Sequence, residues 1–176
     1  MEGCMNRVVL FVAALGVFVL DRLSKLVIEA TLPLHHSVSL IPGVLDFFHT
    51  RNTGVAFGLL SGSESSWVPH LLTLVSAVAL GVILTFSLRH PAGHRRLQWG
   101  LMLVFGGAAG NLYDRIRYGY VIDFIEAYFK GYHWPTFNAA DACITTGIGL
   151  LMVEILSQKG GIEEGRILAA DDSNGS

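Results

Sequence analysis

Cysteine is nearly absent from this chain, and so is any excess of basic charge. The only two cysteines are Cys4 and Cys143. They lie far apart and belong to no CxxC pair or Cys/His cluster, which argues against a disulfide framework and a thiolate zinc site. Charged residues make up 15% of the sequence, whereas a soluble domain carries about a quarter. The net charge is −2, so no basic stripe is available to neutralise phosphates, and a nucleic-acid partner is not expected. No internal repeat is found. No small-x-small cleavage site follows the first apolar run, which is therefore expected to be kept as a helix rather than removed as a signal peptide.

What the chain has in abundance is apolar sequence: 52% of its residues are hydrophobic and the mean hydropathy is +0.52. At 176 residues it is expected to form one compact domain. A helix that crosses the hydrocarbon core needs about 20 mostly apolar residues. Four segments meet that need, at about 8–28, 67–88, 97–113 and 138–156. The second is the cleanest, with no charge and one histidine, His70. The expected fold class is therefore an all-α membrane protein with four transmembrane helices, a small extracytoplasmic β-sheet or hairpin and an interfacial segment. Small residues such as Gly106-Gly107-Ala108-Ala109-Gly110 suit close helix approach in a bilayer.

An even number of spans places both termini on one side. Loop 89–96 holds three arginines and two histidines, the densest basic short loop in the chain. The positive-inside rule makes that loop, and both termini with it, cytoplasmic. Two segments then face outward, 31–66 and 116–137. The first contains Val38-Ser39-Leu40-Ile41, a Pro42-Gly43 turn and a second β-prone run over 44–50, the pattern of a hairpin. The second mixes aromatic and polar residues and reads as a segment lying in the interface. The tail over 159–176 is rich in Gly, Ser and acidic residues and is expected to be a disordered cytoplasmic extension.

Three spans carry polar sets at their outer ends. These are Asp21, Ser24 and Lys25; Asn111, Asp114 and Arg115; and Asn138, Asp141 and Thr145. Spacings of three and four residues put each set on one helix face. Polar groups in a bilayer cost several kcal/mol unless paired, so the three faces are expected to converge inside the bundle. Asp21 with Lys25, and Asp114 with Arg115, are candidates for local ion pairs. Asp123 and Asp141 have no basic residue within four positions. Two such carboxylates brought together share a proton. One then serves as general base on a water while the other polarises a carbonyl, a chemistry that needs no metal and no cofactor.

Other readings fit the same acids. A small proton- or ion-coupled transporter would use Asp21, Asp114 and Asp141 as a relay. A metal-dependent lipid phosphotransferase would hold Mg²⁺ on paired aspartates. A structural membrane subunit would use them only as paired charges.

In chain order the sequence shows Asp21-x-x-Ser24-Lys25, then Asn52-Thr53-Gly54-Val55-Ala56-Phe57. Next comes Gly107-x-x-Gly110-Asn111-x-x-Asp114-Arg115-x-x-x-Gly119-x-Val121-x-Asp123-Phe124, and last Phe137-Asn138-x-Ala140-Asp141-x-x-Ile144. Over roughly residues 8–156 this resembles the bacterial lipoprotein signal peptidase (signal peptidase II) family of intramembrane aspartyl peptidases. The resemblance implies that 1–158 is a single transmembrane peptidase domain with Asp123 and Asp141 as its catalytic pair. It implies a supporting polar shell of Asn52, Gly54, Asn111, Arg115, Asn138, Asp21, Lys25 and Asp114. The implied substrate is a diacylglyceryl-modified prolipoprotein, cleaved before its modified cysteine at the outer face of the inner membrane. Membrane lipid, globomycin-type peptide inhibitors and a monomeric state are implied with it.

Overall fold

The computed structural model describes residues 7–54, 67–90 and 94–174. In chain order the elements are α1 (Arg7–Thr31), β1 (Ser37–Ile41), β2 (Leu45–Asn52), α2 (Val68–Arg89), α3 (Arg95–Tyr118), β3 (Val121–Phe129), β4 (Tyr132–His133) and α4 (Ala139–Asn174). Each of the four expected spans is a helix, and the strands form one antiparallel sheet in the order β1-β2-β3-β4.

Helix α3 is the hub and packs against α1, α2 and α4. Its glycines make this possible. A Cβ on Gly106 would sit 2.5 Å from the Ala14 carbonyl oxygen of α1, and one on Gly107 2.5 Å from that of Ala140 in α4. A Cβ on Gly110 would overlap Asp21 Oδ2. Backbones therefore meet directly where the sequence concentrates its small residues.

The packing inverts that of a soluble bundle. Helix α1 exposes Val8, Val12, Leu15, Leu20 and Leu23, while burying Asp21, Arg22 and Lys25. Of the residues of α2, only Val68 and Ser87 are buried. Among the described residues, two helices are long and apolar enough to cross a membrane, Val68–Arg89 and Ala139–Ser157. The 25-residue α1 and 24-residue α3 are long enough as well, but charges clustered toward their ends lower their hydropathy.

The hairpin forms as its sequence suggests, with Gly43 at φ 80° in the turn between β1 and β2. Segment 116–137, expected as a segment lying in the interface, holds a strand that its sequence pattern does not announce. Its core is β3, which pairs with β2 from Leu45↔Ala127 to Asn52↔Val121. The reason is chemical: Val121, Ile122 and Phe124 are β-prone and buried, and Phe124 packs with Ile28 and Leu32 from the end of α1. Gly119 takes the left-handed conformation, at φ 79°, that ends α3 and turns the chain into β3. The backbone of α4 stays helical to Asn174, whereas disorder was expected from residue 159. Glu163, Glu164, Arg166, Leu168 and Ala169 are strong helix formers, and they offset Gly160 and Gly161.

Candidate active site

Asp123 sits in β3 between Ile122 and Phe124, both buried, and opposite Thr50 of β2. It is only 2% exposed. The end of β2 brings Asn52 beside it, and Asn52 Nδ2 donates to Asp123 Oδ2 at 2.9 Å. The Gly54 N–H donates back to Asn52 Oδ1 at 3.0 Å, which fixes which way that amide points. Asn138 Nδ2 donates to the other oxygen, Asp123 Oδ1, at 2.7 Å. Burial pushes the Asp123 carboxyl up to about 6; the bond from Asn52 works against this and the charge of Asp141 adds to it.

Asp141 is placed by the start of α4. Asn138 precedes the helix and accepts the Asp141 N–H on Oδ1 at 3.0 Å, while Asp141 Oδ2 accepts the Asn138 N–H at 3.2 Å. This reciprocal pair is a capping box built from Asn and Asp. Asn111 Nδ2 of α3 donates to Asp141 Oδ1 at 2.8 Å. Asn138 therefore touches both acids. Its Nδ2 also donates to Asn111 Oδ1 at 3.1 Å, which closes the network between strand, cap and α3.

Beneath this layer lies a buried ionic cluster. Lys25 Nζ donates to Asp21 Oδ2 at 2.8 Å and to Asn111 Oδ1 at 3.0 Å, and pairs with Asp114 Oδ2 at 2.8 Å. Asp21 Oδ1 accepts the Ala140 N–H at 3.0 Å and so ties α1 to the first turn of α4. Asp114 also pairs with Arg22 of α1. The local pair Asp21–Lys25 forms as expected; the pair Asp114–Arg115 does not. Residues adjacent on a helix point about 100° apart, so Asp114 turns toward α1 while Arg115 turns toward the cavity. Among the described residues the Arg115 side chain makes no hydrogen bond or ion pair, yet it lies within electrostatic reach of Asp141, Asp123 and Asp114.

Both acids line one cavity of about 660 Å³, together with Asn52, Asn111 and Arg115. Apolar walls come from Trp134, Phe137 and Ile144, and Ser76 of α2 also lines the space. Asn138, Gly54, Asp21, Lys25 and Asp114 join these lining residues through the hydrogen bonds and ion pairs above; Thr145 also lines the cavity, while the Ser24 hydroxyl turns back to the Asp21 backbone carbonyl. The Val55-Ala56-Phe57 portion of the Asn52 block lies outside the described residues. The sequence reading missed Arg22 and the wall at Trp134 and Phe137. Arg22 carried a signal, since it is a charge beside Asp21 in an otherwise apolar helix. The arrangement supplies one carboxyl able to hold a proton near pH 6, a second carboxylate at a helix N-terminus, and a cation facing the open space. That set suits general acid–base attack of water on a carbonyl.

Comparison with known proteins places the chain among peptidases of one family. The family model for signal peptidase (SPase) II matches residues 13–157. A lipoprotein signal peptidase of Solibacter usitatus is 40% identical over 84% of this chain and 90% of its own length. One from Geobacter sulfurreducens is 42% identical over 82% of this chain and 89% of its own. A solved structure described as a bacterial membrane enzyme superposes with a TM-score of 0.82 at 28% identity, covering 92% of this chain and 95% of that one.

Proposed function

The chain belongs to the signal peptidase II family, and from that premise we propose that it cleaves diacylglyceryl-modified prolipoproteins with Asp123 and Asp141 as an aspartyl dyad. The observation that carries this reading is that Asn138 bonds both acids at the wall of a single cavity. In the resting dyad Asp123 holds the shared proton, in keeping with its burial, and Asp141, at the start of α4, takes the part of the base.

Water binds between the two acids. Asp141 takes a proton from it, and the hydroxyl adds to the scissile carbonyl carbon while Asp123 protonates the carbonyl oxygen. The resulting gem-diol collapses as Asp141 passes its proton to the departing amine of the modified cysteine and a diol proton returns to Asp123. A new carboxyl is left on the signal peptide, and both acids regain their starting states. No metal enters any step. Arg115 and Asn52 orient the peptide backbone at the mouth of the cavity. The same cavity would receive globomycin-type peptides.

The inverted burial supports four membrane spans, and the basic loop 89–96 supports cytoplasmic termini, which would put the sheet on the outer side of the inner membrane. The buried charges of α1 and α3 are compatible with this topology because they face the bundle and not lipid. Each methylene of the substrate's acyl chains adds roughly 0.8 kcal/mol of membrane retention, so the scissile bond stays at the membrane surface. A monomer contains every group named here.

The test uses the purified chain in detergent with a precursor, either diacylglyceryl-modified or unmodified, and reads the new N-terminus by mass spectrometry. Cleavage of the modified form alone, immediately before the modified cysteine and unaffected by chelator, is expected. Equal cleavage of both forms, cleavage elsewhere, or loss of activity with chelator overturns the proposal.

A further inference from the structure

Arg22 stands outside every role assigned above, yet it is buried within the ionic cluster. It is 9% exposed, and its guanidinium pairs with Asp114 Oδ1. The group also lies 4.6 Å from the Tyr113 ring centroid and 5.7 Å from that of Tyr118, and Nη2 donates to the Tyr118 hydroxyl at 3.4 Å. Two rings and a carboxylate thus hold one guanidinium in place, which is a costly arrangement for a charge with no function.

From Asp114, contacts run toward both catalytic aspartates. Asp114 Oδ2 accepts the Ile122 N–H at 3.4 Å, and Ile122 immediately precedes Asp123. The same oxygen pairs with Lys25, which donates to Asn111 Oδ1, and Asn111 in turn donates to Asp141. Charge balance adds a second constraint. Asp21 and Asp114 are both fully buried, with Lys25 between them. Lys25 and Arg22 together neutralise the pair; Lys25 alone leaves one buried negative charge beneath the dyad.

We propose that Arg22 is a positioning residue for both aspartates, acting through Asp114 to hold β3 and Asn111 in register and to keep the cluster neutral. This rests on the dyad reading given under Proposed function. The groups facing the Arg22 guanidinium are Asp114, Tyr113 and Tyr118 of α3, with Asp21 and Lys25 alongside on α1.

The test compares wild type with Arg22→Gln and Arg22→Lys, measuring processing of the modified precursor from pH 5 to 8.5 and thermal unfolding in detergent. For Arg22→Gln we expect kcat to fall about tenfold or more with KM within twofold. The pH optimum should rise by roughly half a unit, because the lost positive charge favours protonated acids. Arg22→Lys keeps the charge but not the fork, so its optimum stays at the wild-type value and kcat lies between the other two. An Arg22→Gln enzyme with wild-type kcat and pH optimum, altered in melting alone, overturns the inference. Should Arg22→Gln fail to accumulate, Arg22→Lys decides: an intermediate kcat supports the inference and a wild-type kcat overturns it. Asp123→Asn and Asp141→Asn made alongside separate the two readings. If both stay active, the dyad reading fails whatever Arg22 does. If both are inactive while Arg22→Gln behaves as wild type, only the inference about Arg22 fails.

Discussion

Helix α2 and the polar ends of α1, α3 and α4 are built from opposite materials. Of its 22 residues, α2 buries two, and it presents Leu71, Leu74, Val75, Val78 and Val82 outward. The polar ends of the other three bury Asp21, Lys25, Asn111, Asp114 and Asn138. In water the first surface would aggregate and the second would dissolve. In an apolar solvent the roles reverse: the featureless helix is the surface, and the charged helices must find one another. At these ends charge identifies the interior, whereas apolar residues lie both outside and inside, as in the buried cluster of Leu10, Ala14, Leu101 and Met102. Beneath the cavity Asp21, Lys25, Asn111, Asp114 and Asn138 satisfy one another, which fixes the geometry on which the two acids rest.

That contrast can be strained from both sides. Short of the dyad itself, the largest effect is expected at Asn138, the residue bonded to both acids. Asn138→Ala should lower kcat about 100-fold with a smaller change in KM, read by precursor processing, because it frees Asp123 and removes the cap of α4. pH comes next. The Asp123 pKa is raised from 3.8 to about 6, so the folded protein holds a proton there that the unfolded chain has released. Activity that needs this proton should fall about tenfold per unit above that value. The stability contributed by that proton is fully present below 3.8 and is lost as pH rises through about 6, a slope that Asp123→Asn should lack in thermal melts.

Gly110→Ala should then cost about 1–3 kcal/mol and several-fold in rate, since the new methyl would displace Asp21 from its place between Lys25 and Ala140. Gly81→Ala on α2 is the counterpart and the smallest effect. A Cβ there meets open space, so stability should be unchanged or gain about 0.5–1 kcal/mol, with activity intact. A large loss at Gly81 would show that α2 packs against something the helix contacts do not reveal.

Much of this was legible in the sequence, for a physical reason. Bilayer constraints force each polar set onto one helix face, so spacing alone brought Asp21, Lys25, Asn111, Asp114, Asn138 and Asp141 together. The hairpin at 37–52 was legible because β-branched runs flank Pro42-Gly43. What escaped was partner choice. Asp114 lies next to Arg115 in sequence but pairs with Arg22 and Lys25, because helix geometry turns neighbours apart. Segment 116–137 was read as interfacial because its aromatics mask a strand whose partner lies some 70 residues earlier (Asn52↔Val121). The wall at Trp134 and Phe137 comes from an irregular segment that runs alongside β3, with Phe137 bridged to Ile125, and it has no periodic signal of its own.

The most direct test takes Asp123→Asn and Asp141→Asn one at a time, in chains shown to be folded by their melting curves. It follows release of the signal peptide from a diacylglyceryl-modified precursor. Each replacement keeps the size of the side chain and removes its ability to exchange a proton, so each alone should reduce cleavage at least 1,000-fold, on the order of a missing general acid or base. If either variant cleaves at near the wild-type rate, Asp123 and Asp141 are not the catalytic pair.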